Sequence, residues 1–248
     1  MKNVKTILSM LVLMLLIASC SKDSNTTSQN KINLSAKATY LASAGRTANA
    51  LTTNVVLTSF KINIKKIEFK LSEATSNDDN TSDDNGNGDN DNDGYYDGDD
   101  EVKLKGPWEL DLLNQSTPIT SVTIANGTYD EVEFKLNKSN VTTSPLFNKT
   151  LEIRGTINGT PFVFWHDFEQ DFSIDYADSN QSLVINNNSY DLVFNFDLNQ
   201  WIANIDLSTA VDGDGDGIIE IGPNDTDGNN GLANILNEDL EHATELED

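Results

Sequence analysis

The run DNDNDGYYDGDDE, Asp89–Glu101, packs seven carboxylates into thirteen residues without a Lys or Arg among them. Carboxylates crowded in this way repel one another unless counter-charge is supplied, and a hard cation is the natural source. Calcium takes roughly six to eight oxygen ligands, and a twelve-residue loop supplies them from alternate positions, with glycine sixth to permit the turn. Counting Asp89 as first, Asp91 is third, Asp93 fifth, Gly94 sixth, Tyr95 seventh through its carbonyl, Asp97 ninth and Asp100 twelfth. A second run, DGDGDGIIEIGPND, begins the same register with Asp212, Asp214, Asp216, Gly217, the Ile218 carbonyl and Glu220. Its twelfth position is Pro223, which has no side-chain oxygen, so Asp225, a carboxylate from elsewhere or water has to complete the shell.

Neither loop is flanked by two amphipathic helices, which sets both apart from true EF-hands. They resemble instead the D-x-D-x-D-G loops of extracellular calcium modules, and Asp at the twelfth position of the first is similar to dockerin-like modules. Magnesium fits less well, because it demands a near-octahedral shell and releases its waters reluctantly. Zinc is disfavoured by the presence of only two His and one Cys. The first loop also has a plainer reading. It follows SEATSNDDNTSDDNGNGDN, a low-complexity stretch that fits a solvated acidic insertion between two strands. For the second, Ile218-Ile219-Glu220-Ile221 suggests anchoring in a core, and a packed loop is easier to preorganise.

The N-terminus addresses location. Lys2 and Lys5 precede an apolar run, Ile7–Ile17, too short to cross a hydrocarbon core of about 30 Å, and a small-residue site follows. This is the pattern of a secretory signal over residues 1–19. Ile17-Ala18-Ser19-Cys20 resembles the lipobox of bacterial lipoproteins, which implies that Cys20 becomes the acylated N-terminus and anchors the chain in a membrane. Cys20 is the only cysteine, so no disulfide competes for it. Ser21 at the following position implies, for a Gram-negative lipoprotein, an outer-membrane or cell-surface destination. Residues 20–30, rich in Ser, Asn and Thr, read as a flexible tether.

Charge is unevenly distributed within a net of −24. Gly155 to Asp248 holds twenty acids and no base, and Glu73 to Glu101 holds twelve acids and no base. The other eight acids share the rest of the chain with all sixteen basic residues. Nucleic acid and anionic lipid surfaces are excluded as electrostatic partners of so acidic a chain.

Hydrophobic alternation of period two dominates. It marks KINLSAKATY, NVVLTSF, FKINIKKIEFKL, VKLKGPWELDLL, ITSVTI, YDEVEFKL, TLEIRGTI, PFVFWHDF, FSIDY, QSLVI and YDLVFNFDL as strands. In FKINIKKIEFKL the apolar phase slips at Lys65-Lys66, which predicts a β-bulge. Asn158-Gly159 is a type I′ hairpin signal, and Asn126-Gly127 marks a further turn. The apolar spacing of Leu232, Ile235, Leu236, Leu240, Ala243 and Leu246 predicts a short C-terminal amphipathic helix. The expected fold is therefore mainly β, an antiparallel Greek-key sandwich over residues 31–248, with an acidic insertion at 73–101 and a calcium-type loop at 212–225. The order GPWELDLL, NGTYDEVEFKL, VFNFDLNQW and a closing helix resembles β-sandwich domains of uncharacterised activity in Gram-negative outer-membrane lipoproteins. That resemblance spans Lys31 to Asp248 and implies the fold alone.

Enzymatic chemistry finds little in the chain, and the expectation is a non-enzyme. His166-Asp167 supplies half of a triad, but no G-x-S-x-G elbow, cysteine nucleophile or H-E-x-x-H motif accompanies it. His242, among acids on the expected helix, reads as solvated. Trp108, Trp165 and Trp201 sit in strand-like patterns that favour core packing over a sugar platform, whereas Tyr95 and Tyr96 lie in a polar loop. The expectation is a calcium-binding, membrane-anchored envelope lipoprotein that binds or scaffolds. A carbohydrate-binding or adhesive module contacting a glycan or host protein is the alternative. A carboxylate-dependent glycoside hydrolase is the weaker rival.

Overall fold

A strand of seventeen residues, Val55–Leu71, organises the molecule. The computed structural model describes residues 30–41, 54–72, 101–175, 183–186, 188–203, 205–240 and 243–247. In chain order the strands are β1 (Asn30–Thr39), β2 (Val55–Leu71), β3 (Glu101–Asp111), β4 (Thr117–Ile124), β5 (Gly127–Leu136) and β6 (Leu151–Ile157), followed by β7 (Thr160–His166), β8 (Gln170–Asp175), β9 (Leu183–Ile185), β10 (Tyr190–Asp197), β11 (Ile219–Ile221) and β12 (Thr244–Glu247). The helices are α1 (Leu198–Ile202) and α2 (Asn230–Leu240), with a 3₁₀ turn at Leu207–Thr209 between them. The protein is mainly β, as the alternation requires.

The smaller sheet runs β12-β10-β1-β4, and the larger follows β11-β7-β6-β2-β5-β8, with β3 also on β2 and β9 on β5. The two runs NVVLTSF and FKINIKKIEFKL are one strand, β2. Its first half pairs with β6 from Val55 to Ile62, and its second half pairs with β5 from Ile64 to Leu71. Lys61 and Ile62 face β3 as well as β6, and Ile64 onward faces β3 as well as β5. Since a strand has two edges, β6 and β5 lie end to end along one edge and β3 along the other. Asn63 marks the handover: its N–H donates to the Thr150 carbonyl (2.9 Å) and its own carbonyl accepts from Asn137 N (3.3 Å). The register slips between Ile64 and Lys66 in both ladders, so the bulge expected at Lys65-Lys66 is present. Its effect is to keep Phe60, Ile62 and Ile64 on the core side before it, and Ile67 and Phe69 after it, all fully buried.

The core lies between the sheets. Phe194 and Phe196 of β10 meet Phe134 of β5 at ring-centroid distances of 4.7 and 5.9 Å, and Phe196 reaches Phe60 of β2 at 5.5 Å. Each such ring is worth roughly 1.5–3 kcal/mol of burial before any packing bonus. Asn158 (φ 53°) and Gly159 (φ 90°) both take positive φ, as a type I′ turn requires, and join β6 to β7. Asn126-Gly127 instead carries the chain from β4 in the smaller sheet to β5 in the larger.

Two features depart from expectation. The pairs β1–β10 and β11–β7 are parallel within an otherwise antiparallel arrangement. The C-terminal helix is also shorter than its apolar stripe predicts: α2 ends at Leu240, and Leu246 lies in β12, opposite Phe194 of β10. These residues instead take the edge of β10, pairing Thr244–Glu247 with Val193–Phe196.

Many of the described basic residues form ion pairs on the larger sheet. Lys70 meets Glu131 at 3.0 Å, Lys103 meets Glu101 at 2.7 Å and Glu68 at 3.5 Å, and Lys135 meets Asp171 at 3.3 Å. Burial alone would push the Glu68 carboxyl up, but Lys66 and Lys103 together hold it below its ordinary value. Of the acids after Arg154, Asp171 alone meets a lysine among these ion pairs.

Candidate metal centre

After the 3₁₀ turn the chain leaves Val211, loops outward and returns as β11, parallel to Phe162–Phe164 of β7. Ile219 and Ile221 are buried, so the returning strand is pinned to the core, whereas Ile218 just before it is 39% exposed. Between these anchors the acidic side chains fold the loop by accepting its own N–H groups. Asp212 takes Gly215 N at 2.8 Å on Oδ1 and Gly217 N at 2.9 Å on Oδ2. Asp214 Oδ1 takes Asp216 N at 3.1 Å, and Asp216 Oδ1 takes Ile218 N at 2.8 Å. Gly217, the sixth residue, has φ 91°, a conformation in which any side chain would be strained.

The residue that completes the arrangement is Asp227. Its Oδ1 accepts from Gly213 N (3.0 Å) and Asp214 N (3.2 Å), and its Oδ2 from Glu220 N (2.6 Å). Only 7% of the residue is exposed. Burial would raise its pKa, but the three backbone donors outweigh that and hold the carboxyl below the ordinary aspartate value. One carboxylate oxygen from each of Asp212, Asp214 and Asp227 lies within 4.8 Å of the others, close enough to share a cation.

Asp216 and Glu220, expected from the twelve-residue register, stand outside this group of three. Glu220 is nonetheless drawn near it, since the Thr226 hydroxyl lies 3.1 Å from both Asp214 Oδ2 and Glu220 Oε2. Asp225 is engaged by its own turn, accepting Gly222 N at 3.0 Å, Gly228 N at 2.7 Å and Asn229 N at 2.9 Å. Asp227 falls fifteen residues after Asp212, beyond a twelve-residue count. Its signal is the second, shorter D-x-D-G, Asp225-Thr226-Asp227-Gly228, in which Gly228 again has positive φ (85°). The first loop, Asp89, Asp91, Asp93, Tyr95, Asp97 and Asp100, lies outside the described residues, as do Cys20, Tyr96 and His242.

Asn229 fastens the loop at its base. Its side-chain amide donates to the carbonyls of Val211 (2.8 Å) and Glu220 (2.7 Å), and its Oδ1 accepts Val211 N (3.1 Å). Both ends of the loop are thereby tied to the residue that leads into α2. From α2, Leu236 offers its carbonyl to the Trp201 indole N–H at 2.6 Å, and Trp201 packs on Phe164 of β7 at 5.4 Å. The acidic loop is braced from the sheet on one side and from the helix on the other.

Electrostatics favour a positive guest. No Lys or Arg occurs after Arg154, and none of the described ion pairs includes Asp212, Asp214 or Asp227. No family model, curated protein or solved structure matches this chain. The site has to be read from its own chemistry: three carboxylates, oriented by backbone N–H groups, that could hold a metal ion through oxygen alone.

Of the other groups singled out in the sequence, Trp201 is buried in the core. Trp165 is half-buried and lies against Gly222, where a Cβ would meet the indole at 2.5 Å. His166 is 9% exposed, and its Nδ1 accepts the N–H groups of Asp167 (3.0 Å) and Phe168 (3.1 Å). An imidazole whose Nδ1 is an acceptor cannot donate from that atom to Asp167, so this pair lacks the orientation of a catalytic triad.

Proposed function

We propose that this chain is a calcium-binding lipoprotein of a Gram-negative envelope, anchored through Cys20 in the outer membrane or at the cell surface, whose β-sandwich binds or scaffolds there. The observation that carries the calcium reading is the convergence of Asp212, Asp214 and Asp227 in a segment that supplies no basic residue. Calcium accepts a variable number of carboxylate, carbonyl and water oxygens, and this loop offers two exposed or half-buried carboxylates, Asp212 and Asp214, beside the buried Asp227. The anchoring reading rests on the apolar run and Ile17-Ala18-Ser19-Cys20. Val211 and Ile218, 52% and 39% exposed on the same loop, favour a direct role in contacting a glycan or envelope protein as the second reading.

The ion is tested by melting. A site with Kd on the order of 10⁻⁴ M in about 2 mM calcium adds roughly 1.8 kcal/mol to folding stability. The melting temperature should rise with calcium and fall back with a chelator. Asp212→Asn combined with Asp214→Asn should abolish most of the rise. Magnesium at equal concentration should reproduce little of it, which separates ligation from screening of charge. Equal responses to the two ions, unchanged in the double variant, would sink the calcium reading.

The anchor is tested independently of the ion. Wild-type protein should take up labelled acyl chains and partition with membranes, and Cys20→Ser should lose both. Persistence of labelling in that variant would remove the lipoprotein assignment.

A further inference from the structure

The turn between β7 and β8 is held by an imidazole rather than by the usual Asn or Asp. His166 closes it on itself: its Nδ1 lone pair accepts Asp167 N–H and Phe168 N–H at 3.0 and 3.1 Å. Its backbone carbonyl accepts Thr150 N at 2.7 Å, and the Thr150 hydroxyl donates to the Phe168 carbonyl. The ring is buried and packs on Phe168 at 5.1 Å. This arrangement requires the neutral tautomer with the proton on Nε2, because a protonated Nδ1 has no lone pair to offer.

The surroundings supply a second partner for the protonated ring. Asp167 Oδ1 lies 3.9 Å from Nδ1 and is the charged group whose field acts on it. Across the β6–β7 ladder His166 faces Leu151, and the neighbouring Glu152 is paired with Lys149 and Arg154. On the following strand Asp171 is tied to Lys135, and Glu169 is exposed. Two arrangements therefore exclude one another. In one, Nδ1 accepts two backbone N–H groups. In the other, Nδ1–H donates to the Asp167 carboxylate and both backbone donors lose their acceptor.

We propose that His166 is an acid-operated latch, closed when neutral and, on protonation, freeing the β7–β8 turn and loosening the edge strand β8 that follows it. The strand at stake is one wall of the molecule: β8 closes the larger sheet beside β12 of the smaller, and its Phe172 stacks on the core ring of Phe134 at 4.9 Å. The direction of the response follows from the environment. Burial lowers the pKa of His166, and the Asp167 carboxylate only partly opposes it. A group whose folded pKa is depressed favours its deprotonated form, so the latch is fully closed above the ordinary imidazole value of about 6.5. Its contribution is lost as pH falls through the lower folded value.

Amide hydrogen exchange on the full chain, followed by NMR or mass spectrometry from pH 7.5 to 5, tests this. Protection at Asp167, Phe168 and the first residues of β8 should fall about tenfold per pH unit below the ordinary imidazole value, after correction for intrinsic exchange. The core of β2 should hold its protection over the same range. His166→Asn places an oxygen where Nδ1 stood and accepts the same N–H groups without titrating, so its protection should be independent of pH. Asp167→Asn removes the partner of the charged ring and should move the midpoint to lower pH while leaving the neutral turn intact. Identical pH profiles in wild type and His166→Asn, or an unmoved midpoint in Asp167→Asn, would overturn the proposal. If His166→Asn fails to fold, the Asp167→Asn midpoint decides alone.

Discussion

Asp227→Ala should cost about 3 kcal/mol in chelator and eliminate the calcium-dependent rise in melting temperature. The carboxylate accepts three backbone N–H groups, from Gly213, Asp214 and Glu220, and is nearly sealed from water. Hydrogen bonds to a charged acceptor contribute roughly 1.5–3 kcal/mol each at best, and buried donors left unpaired lose their solvation as well. Against this stands relief of repulsion. Without a cation, Asp212 and Asp214 gain by losing a neighbouring charge, but pairs near the surface are worth only about 1 kcal/mol in water-like surroundings. The hydrogen bonds win. Asp227→Asn separates the two effects, because it removes the charge and keeps one accepting oxygen, so it should be the milder change. Denaturant unfolding with and without calcium reads both variants. A loss under about 1 kcal/mol for Asp227→Ala would mean that the loop does not brace the fold. The depressed pKa of this carboxyl adds a sign: its contribution is present above the ordinary aspartate range and is lost only as pH falls through a still lower value.

Trp201→Ala should be the most damaging change outside the loop, at about 4 kcal/mol. The indole joins three elements. It packs on Phe164 of β7 and Phe60 of β2 at 5.4 and 6.4 Å, and its N–H ties the Leu236 carbonyl of α2 at 2.6 Å. It also lines a small apolar cavity with Leu57, Ile153, Phe162 and Leu236, which truncation would enlarge. Trp201→Phe keeps most of the packing and loses the hydrogen bond, so roughly 1–2 kcal/mol is expected there. Chemical unfolding of the two variants in parallel measures the split. Equal losses would show that the hydrogen bond, and not the ring, carries the effect.

The strands were legible because alternation is local: one buried face leaves its mark on every second residue, as in Phe60, Ile62 and Ile64. The bulge was legible for the same reason, as a break in that parity. Partner choice was not, since the parallel pairing of Ile32–Thr39 with Tyr190–Asp197 joins residues far apart in sequence, and nothing in either segment encodes direction. Leu246 misled because a four-residue edge strand and a helical stripe share the same apolar positions over so short a span. At the site, Asp212 and Asp214 were visible through spacing, whereas Asp227 was hidden by a register that ends too early. Its importance comes from burial and from three backbone donors, which only the folded path of the chain creates.

A strand that lends one edge first to β6 and then to β5 has a bearing on how the molecule comes apart. The route from the acidic loop to the far wall is continuous: β11 rests on β7, β7 on β6, β6 on β2, and β2 on β5 and β8. If β2 were two strands with a break at Asn63, the two branches could melt as separate units. As one strand it is not readily half released, because peeling β6 from Val55–Ile62 frees Lys61 and Ile62, which β3 also pairs, directly beside the stretch that β3 and β5 hold from Ile64 onward. Such coupling makes for a single all-or-none transition, with partial openings confined to edges and turns. A cation bound at that rim, as proposed, would therefore steady more than the loop that holds it, because the loop's strand is the first link in that chain of pairings.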